Sequence, residues 1–178
     1  PTELTYPDSK RVAIARAYAG QPRVMVCDEP TSSLDVSVQA AILNLLADMQ
    51  RESNTSYLFI SHDLRVVRYL SDRIAVLYLG RIMEVGPAER VFDGPHHPYT
   101  EALLSAVTST TSTTTSRIKL EGEIPSSMSP PSGCVFHTRC PRRLDGDICS
   151  TVEPPLTTTP DGGVMRCHIP FEKLGGRV

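Results

Sequence analysis

Short apolar segments alternate with longer segments of helical periodicity over the first half of the chain. The apolar runs at 23–27 and 57–60 predict two buried strands, because both are short and rich in β-branched or aromatic residues. Residues 36–51 repeat apolar side chains at helical spacing and predict a helix that Asp35 caps. The other predicted elements are a helix at 11–18 with Val12, Ala15 and Ala19 on one side, a helix through Val66, Val67 and Leu70, and strands at 73–78 and 81–85 joined by a turn at Leu79-Gly80.

This alternation of strand and helix predicts an α/β fold with parallel strands. In such sheets, ligands bind at the carboxyl ends of the strands. Asp28 and Glu29 follow the first predicted strand, and His62 follows the second. We therefore expect these three side chains to lie at one functional edge.

The second half of the chain has a different composition. Residues 98–107 predict a short helix, and residues 108–116 form a low-complexity Ser/Thr linker. Pro and Gly are frequent beyond it, and four of the five cysteines occur there. The predicted domains are 1–95, 96–117 and 118–178.

Bulk composition excludes several classes of protein. The 178 residues carry a net charge of -2 with a pI near 6.2, so no basic field attracts nucleic acid. No apolar run reaches the roughly 18 residues that a membrane span needs, and no signal peptide is visible. The first residue is Pro1 and not Met, which suggests a processed, truncated or partial chain.

The sharpest motif is the run 24–31, Val-Met-Val-Cys-Asp-Glu-Pro-Thr. Apolar residues followed by two acids resemble the Walker B motif of nucleotide-hydrolysing proteins. Asp28 would hold Mg²⁺ through its water shell, because Mg²⁺ gives up water reluctantly. Glu29 would orient and deprotonate an attacking water. The alternative for the acidic pair alone is a solvated turn after a strand.

The residues that follow favour the functional interpretation. Thr-Ser-Ser-Leu-Asp stands at 31–35, and Ser-His-Asp at 61–63 comes one helix and one strand later. With these motifs the chain resembles the ABC transporter ATPases. The resemblance implies that His62 contacts the terminal phosphate. It also implies a D-loop at the dimer interface, formed by Ser32, Ser33, Leu34 and Asp35.

Two parts of that family's machinery are missing or altered. No Gly-x-x-x-x-Gly-Lys-[Ser/Thr] phosphate loop occurs, so we expect the isolated chain to bind and hydrolyse ATP poorly. The family's Leu-Ser-Gly-Gly-Gln signature is replaced at 4–8 by Leu-Thr-Tyr-Pro-Asp, where Thr5 could still offer a hydroxyl. The alternatives are a degenerate half of an asymmetric ATPase pair and a truncated gene.

The later residues narrow the resemblance. The segment 94–104, which contains His-Pro-Tyr-Thr at 97–100, is similar to the ATPases of oligopeptide, dipeptide and nickel importers. For His96-His97 we expect a surface turn, and no metal site. The resemblance implies ATP and Mg²⁺ as ligands and a peripheral position on the cytoplasmic face of the cell membrane. Its implied partners are membrane permease subunits, a second ATPase subunit or half, and a substrate-binding protein. Peptide and nickel stay open as cargo.

Four cysteines close the chain with the spacing Cys-x5-Cys-x8-Cys-x17-Cys: Cys134, Cys140, Cys149 and Cys167. Paired Cys-x2-Cys knuckles, common in zinc ribbons, are absent from this sequence. Cys140-Pro141 is similar to the Cys-Pro ending of ferredoxin motifs, and the resemblance to the importer ATPases implies a cluster at these cysteines. We expect a [4Fe-4S] cluster, with zinc or plain thiols and disulfides as alternatives.

The predicted fold is therefore the second half of an ABC-type P-loop ATPase domain, with a small irregular cysteine-rich module after it. The predicted function is the ATP-hydrolysing subunit, or part of it, of a peptide importer. The first alternative is a non-hydrolysing partner or gene remnant that keeps a structural metal module. The second, a DNA-acting ATPase, is disfavoured by the His-Pro-Tyr-Thr segment and by the lack of a coiled-coil arm.

Overall fold

The computed structural model describes residues 4–108 and 117–175. The chain divides into two compact units, Pro1–Ser71 and Asp72–Val178, here called unit 1 and unit 2. This division does not coincide with the predicted domains, because the hairpin after residue 72 pairs with a strand close to the C-terminus. Most of the predicted Ser/Thr linker, residues 109–116, lies outside the described residues.

Unit 1 is built from helices and a parallel strand pair. Its elements are α1 (Tyr6–Tyr18), β1 (Val24–Asp28), α2 (Val36–Ser53), β2 (Ser56–Ile60) and α3 (Leu64–Leu70). The predicted α/β class is confirmed, and each predicted element of this region is present. No helix in the described part of the chain is long and apolar enough to cross a membrane.

Helix α1 begins five residues earlier than its apolar pattern predicts. Thr5 is the N-cap, and its hydroxyl accepts a hydrogen bond from the Asp8 amide while donating to the Asp8 carboxylate at 2.5 Å. Pro7 is tolerated because the first helical amides have no intrahelical partner. Of the side chains in α1, Ile14 is the buried one, whereas Val12 is exposed. The predicted Val12 side is therefore not the side that packs.

Helix α2 follows its prediction closely. The Asp35 carboxylate accepts from the Val38 amide at 2.9 Å, and the helix ends at Asn54 in the left-handed conformation. Its apolar stripe packs on β1 and β2 in a core that contains Ile14, Met25, Cys27, Ile42 and Leu46. This core covers one face of the strand pair.

Unit 2 consists of a sheet, short helices and irregular segments. Its elements are β3 (Arg73–Tyr78), β4 (Arg81–Pro87), α4 (Ala88–Asp93), α5 (Pro98–Thr108), α6 (Ile148–Thr151), β5 (Leu156–Thr158), β6 (Val164–Arg166) and a 3₁₀ helix (Phe171–Lys173). The sheet order is β3-β4-β6-β5, and its neighbours are antiparallel. The cysteine-bearing segment therefore extends the sheet that the predicted β3–β4 hairpin begins, and is not the separate module that the sequence predicted.

An aromatic core lies beneath this sheet. Phe136 is fully buried and contacts the rings of Tyr78, Tyr99 and His97 at centroid distances of 5.3, 5.2 and 6.0 Å. The prediction that His96-His97 forms a surface turn is wrong, because both residues are 1% exposed. The His97 ring accepts from the Tyr99 amide at 3.1 Å, and burial lowers its pKa to about 4. His97 is therefore buried in its neutral form at physiological pH.

Arg90 joins several parts of unit 2 at a buried polar centre. Its guanidinium pairs with the fully buried Glu84 and, at 2.5 Å, with Asp161. It also donates to the Val85 carbonyl at 3.0 Å. The second Glu84 oxygen accepts from the His97 amide at 3.0 Å. Burial raises the pKa of Glu84, and the Arg90 charge opposes that shift. Removal of either partner of such a buried pair leaves the other charge buried without compensation.

Removal of the Arg90 charge should therefore destabilise unit 2. We expect Arg90→Met to lower the free energy of unfolding by about 3–5 kcal/mol, because it leaves Glu84 buried without its counterion. Glu84→Gln in the same background should recover part of the loss. The measurement is urea unfolding followed by near-ultraviolet circular dichroism of the tyrosines.

The matched control is Arg81→Met. Arg81 forms an exposed pair with Glu153 at 3.7 Å, so its loss should cost less than about 1 kcal/mol. Equal losses for the two variants would contradict a special role for Arg90.

Candidate functional site

The parallel strands of unit 1 bring Glu29 and His62 together. Asp28 stands opposite Ile60 in the strand register, and the Glu29 amide donates to the Ile60 carbonyl at 3.0 Å. The Glu29 carboxylate then lies 2.7 Å from Nδ1 of His62, and the same oxygen accepts from the His62 amide at 3.2 Å. Two side chains that are 33 positions apart thus form one polar pair.

The geometry of this pair determines its electrostatics. The hydrogen bond from the His62 ring to Glu29, and the charge of that carboxylate, raise the pKa of His62 above its ordinary value of 6.5. Because Nδ1 of the His62 ring faces the Glu29 carboxylate, Nδ1 carries a proton and donates it in this hydrogen bond. Because the imidazole is largely exposed, Nε2 remains available to a ligand. Glu29 has a φ of 45°, a conformation that is uncommon outside glycine and often found at functional sites.

Asp28 occupies the end of β1, directly before Glu29. Its side chain is exposed and has no hydrogen-bond or ion-pair partner within residues 4–108 and 117–175. An unpaired carboxylate beside a polar pair can bind a hydrated cation without first breaking an internal contact. The structure therefore leaves Asp28 free for the role that the sequence predicted.

The predicted D-loop forms a tight turn between β1 and α2. The Ser32 hydroxyl and amide both donate to the Glu29 carbonyl, at 2.9 and 3.2 Å. Ser33 follows with a φ of 61°, Leu34 packs against the core of unit 1, and Asp35 caps α2. Through Ser32 this turn fixes the backbone of Glu29. The D-loop residues have this local role whether or not they also reach a partner.

Thr5 was predicted as a remnant of the signature motif. Its hydroxyl is engaged with Asp8 at both its donor and acceptor sides. Arg11 adds a 3.2 Å ion pair to Asp8, and the Thr5 hydrogen bond is the main cause that lowers the pKa of that carboxyl. In this structure Thr5 therefore caps the N-terminus of α1.

The four predicted cysteine ligands all lie in unit 2. Cys134 and Cys149 are buried, Cys140 and Cys167 are half-buried, and the Cys134 amide donates to the Cys149 carbonyl at 2.9 Å. Burial is the main cause that raises the pKa of Cys140 to about 12 and that of Cys167 to about 11, and neighbouring thiols add to it. The four thiols thus share one neighbourhood.

Four thiols form a donor set that suits zinc or an iron–sulfur cluster. The side chains as placed form no ready site, because no group of three or more His, Cys, Asp or Glu side chains in the described ranges is positioned to hold a metal ion. The predicted metal site is therefore not supported by the side-chain positions.

The exposed Glu29–His62 pair gives a direct test of the site geometry. We expect the imidazole of His62 to titrate above 6.5, and Glu29→Gln to return its pKa toward 6.5 because the carboxylate charge is lost. The stabilising effect of the pair is present below pH 6.5, where His62 is charged and carboxylates remain ionised. It is lost as the pH rises through the raised pKa of the folded state.

The measurement is NMR titration of the ring protons, with His62→Asn to assign the signal. Asp63→Asn is the control, because it removes a neighbouring carboxylate whose effect on His62 is smaller. An unchanged titration in Glu29→Gln would show that the pair does not form in solution.

The comparisons with known proteins bear on both units. Residues 83–149 match the family model described as "Oligopeptide/dipeptide transporter, C-terminal region". The chain is 48% identical over 170 residues to a probable peptide ABC transporter ATP-binding protein, y4tS, of Sinorhizobium fredii. It is 46% identical over 172 residues to the oligopeptide transport ATP-binding protein AppF of Bacillus subtilis. These alignments cover 95% of this chain but only 48% and 52% of those proteins.

Two solved structures also show similarity. One is the ATP-binding cassette MJ0796 bound to ADP and Pi, with 32% identity over 49% of this chain and 38% of that one, at a TM-score of 0.45. The other is cbiO1 from Clostridium perfringens, with 28% identity over 62% and 41% of the two chains, at a TM-score of 0.49.

The resemblance predicted from the motifs is confirmed by the similarity to the family model and to the two ATP-binding proteins of Sinorhizobium fredii and Bacillus subtilis. The chain spans about half the length of the curated relatives that it matches. Residues 83–149 are similar to the C-terminal region of oligopeptide/dipeptide transporter proteins, and the chain as a whole is similar to about half of an ATP-binding protein of peptide ABC transporters.

Proposed function

We propose that this chain supplies the hydrolytic half of the ATP-binding subunit of a peptide ABC importer. The observation that carries the proposal is the contact between Glu29 and His62 at the carboxyl edge of two parallel strands. Nucleotide and phosphate ligands bind at this edge in α/β sheets. The similarity to peptide-transporter ATP-binding proteins supports the same conclusion independently.

Each residue of the site has a different role in hydrolysis. Glu29 orients the attacking water and accepts its proton, because its carboxylate is held in place by two hydrogen bonds from His62. The free Nε2 of His62 contacts the terminal phosphate. Asp28 holds Mg²⁺ through water, and the ion neutralises phosphate charge when it is bound.

The turn at 32–35 extends this site toward a second ATPase subunit or half. It is connected to Glu29 through the two hydrogen bonds of Ser32, so a contact there could be transmitted to the general base. The role of Thr5 as a signature residue stays a prediction. To bind a phosphate, the Thr5 hydroxyl would have to break its hydrogen bond to Asp8.

The proposed cargo is supported by the relatives' names, and the proposed partners by the resemblance to the importer ATPases. Those names specify peptides or oligopeptides, and we propose peptides as the transported class, with nickel as the open alternative. We further propose permease subunits and a substrate-binding protein as partners, and a peripheral position on the cytoplasmic face of the membrane. The divisions 1–95, 96–117 and 118–178 are proposed for function only, because the structural units divide at residues 71 and 72.

ATP hydrolysis can be tested by supplying the part of the relatives that this chain does not match. By itself the chain should bind Mg-ATP weakly, because it has no phosphate-loop sequence. A fusion of the chain to the unmatched part of the Bacillus subtilis relative should hydrolyse ATP. In that fusion, Glu29→Gln should lower kcat by about 100-fold or more, since general bases contribute about that factor.

The matched control is Glu52→Gln, an exposed glutamate of α2 outside the site. Steady-state phosphate release measures both variants. Equal rates for Glu29→Gln and Glu52→Gln would exclude Glu29 as the base, and tight Mg-ATP binding by the chain alone would contradict the proposed division of roles.

We also propose that Cys134, Cys140, Cys149 and Cys167 bind an iron–sulfur cluster, with zinc as the alternative. The support is the four-thiol donor set and the shared neighbourhood of the thiols in unit 2. Because the described side chains form no ready metal site, binding requires their rearrangement. The group would cross-link segments that are far apart in sequence and add folding free energy.

Metal analysis of anaerobically purified protein tests this proposal. We expect iron and acid-labile sulfide in equal amounts, and their loss in Cys140→Ala and Cys167→Ala. The control is Cys27→Ala, because Cys27 lies in the core of unit 1 and outside the proposed set. Stoichiometric zinc without sulfide would support the alternative, and protein free of both would overturn the proposal.

A further inference from the structure

His96 is buried in unit 2 without a hydrogen-bond partner for its ring. The residue is 1% exposed, and neither Nδ1 nor Nε2 has a partner of hydrogen-bonding geometry among the described residues. A neutral imidazole has one ring nitrogen that donates and one that accepts, and buried polar groups are normally satisfied. The His96 ring therefore lies in an environment that offers it no polar compensation.

Three segments of unit 2 meet at His96. The residue lies in the connection between α4 and α5, and its amide donates to the Gly175 carbonyl at 3.0 Å. Arg142, from the cysteine-bearing segment, approaches the same point, since a Cβ on Gly175 would lie 3.0 Å from its Nη2 atom. Arg142 also donates to Glu101 of α5 at 2.8 Å. The imidazole thus lies beside the point where Gly175 is attached to unit 2.

Gly175 ends a short segment, residues 171–175, that begins with the 3₁₀ helix Phe171–Lys173. Leu174 is buried at 5% exposure, and Gly175 is bonded to the His96 amide. Phe171 lines a cavity of about 120 Å³, and Cys167 lines the same cavity. Withdrawal of the 171–175 segment would therefore uncover Leu174 and remove part of the cavity wall.

The surroundings of His96 disfavour a proton on its ring. Burial is the largest cause that lowers the pKa of His96, and the positive charges of Arg90 and Arg142 lower it further. The Val91 carbonyl and the Asp93 carboxylate act in the opposite direction, but Asp93 is exposed, so water weakens its field. Three carboxylates pair with the two arginines, namely Glu84, Asp161 and Glu101. A protonated His96 would therefore be a buried charge without a counterion of its own.

We propose that His96 is an acid-sensitive latch, whose protonation releases the 171–175 segment from the rest of unit 2. The buried pair of Arg90 with Glu84 holds α4 to the sheet, and the pair of Arg142 with Glu101 holds the cysteine-bearing segment to α5. The 171–175 segment is attached to His96 itself. Its withdrawal admits water to the charged ring and leaves both of those ion pairs intact.

The direction of the pH effect follows from the two states of the latch. In the released state the His96 ring meets water, so its pKa returns toward the ordinary value of 6.5. In the attached state the pKa is lower, and the released state therefore binds the proton more strongly. Attachment is fully favoured above pH 6.5 and is lost as the pH falls from 6.5 through the lowered pKa of the attached state.

Hydrogen exchange of the full chain, followed by NMR at pH 7.5 and 5.5, tests the latch. The amide of residue 96 is the direct reporter, because its acceptor is the Gly175 carbonyl. After correction for the intrinsic pH dependence of exchange, we expect its opening equilibrium to rise several-fold at pH 5.5. The limit is about tenfold, since a single proton binds the released state more strongly.

Two variants remove the titrating group. In His96→Asn and in His96→Leu the opening equilibrium of the same amide should change less than about twofold between the two pH values. Far-ultraviolet circular dichroism checks that each variant is folded. His97 does not produce the effect, because its pKa of about 4 lies below this range and its ring stays packed on Phe136.

The matched control is His62→Asn, which removes an exposed histidine of unit 1 that titrates above pH 6.5. It should leave the rise at the residue 96 amide unchanged. A rise of less than twofold in the unaltered chain would overturn the proposal, as would a rise that persists in both His96 variants. An equal rise at every amide of unit 2 would also overturn it, because that result indicates unfolding of the whole unit.

Discussion

The parallel pairing of β1 and β2 determines where the chemistry of unit 1 can occur. The register sets Asp28 beside Ile60, and the backbone bond from Glu29 to Ile60 continues the pairing by one residue. Glu29 then turns into a positive φ, and its carboxylate meets His62. A shift of the register by one residue would reverse the faces of β2 and separate the pair. The site therefore depends on the apolar packing that fixes this register more than on any contact within the site.

Unit 2 is organised by a different constraint, which is the need to satisfy a buried charge. Glu84 lies in a sheet interior, and Arg90 and the His97 amide supply its partners. Arg90 in turn holds Asp161 from a distant loop. Gly163 is required beside it, because a Cβ there would lie 2.5 Å from the Val85 carbonyl and 2.8 Å from Arg90. The polar centre thus specifies how β4, α4 and the loop before β6 fit together.

The sequence predicted those features that depend on local periodicity. The helix capped by Asp35 and the β3–β4 hairpin are where the pattern places them, since their signals lie within a few residues. The early start of α1 was missed because a Thr–Asp cap does not alter apolar spacing. The burial of His97 and the Arg90 network could not be predicted, because their partners are far apart in sequence and no motif marks them. The pattern predicts that Glu29 and His62 each follow a strand, but the direct hydrogen bond between them depends on the turn at Glu29 and carries no sequence signal.

The exposure of His62 to solvent limits the electrostatic strength of the site. A hydrogen-bonded pair in contact with water gains little electrostatic energy, because the high dielectric weakens it. Catalytic groups act most strongly where water is excluded and their dipoles are fixed in advance. Glu29 and His62 already have a fixed geometry, but in the described chain the imidazole is largely exposed to solvent. The strands that position them also carry the uncovered residues Val26 and Leu58. Exclusion of water from this edge would therefore strengthen the electrostatic effect of the pair, because the effective dielectric constant around it would fall.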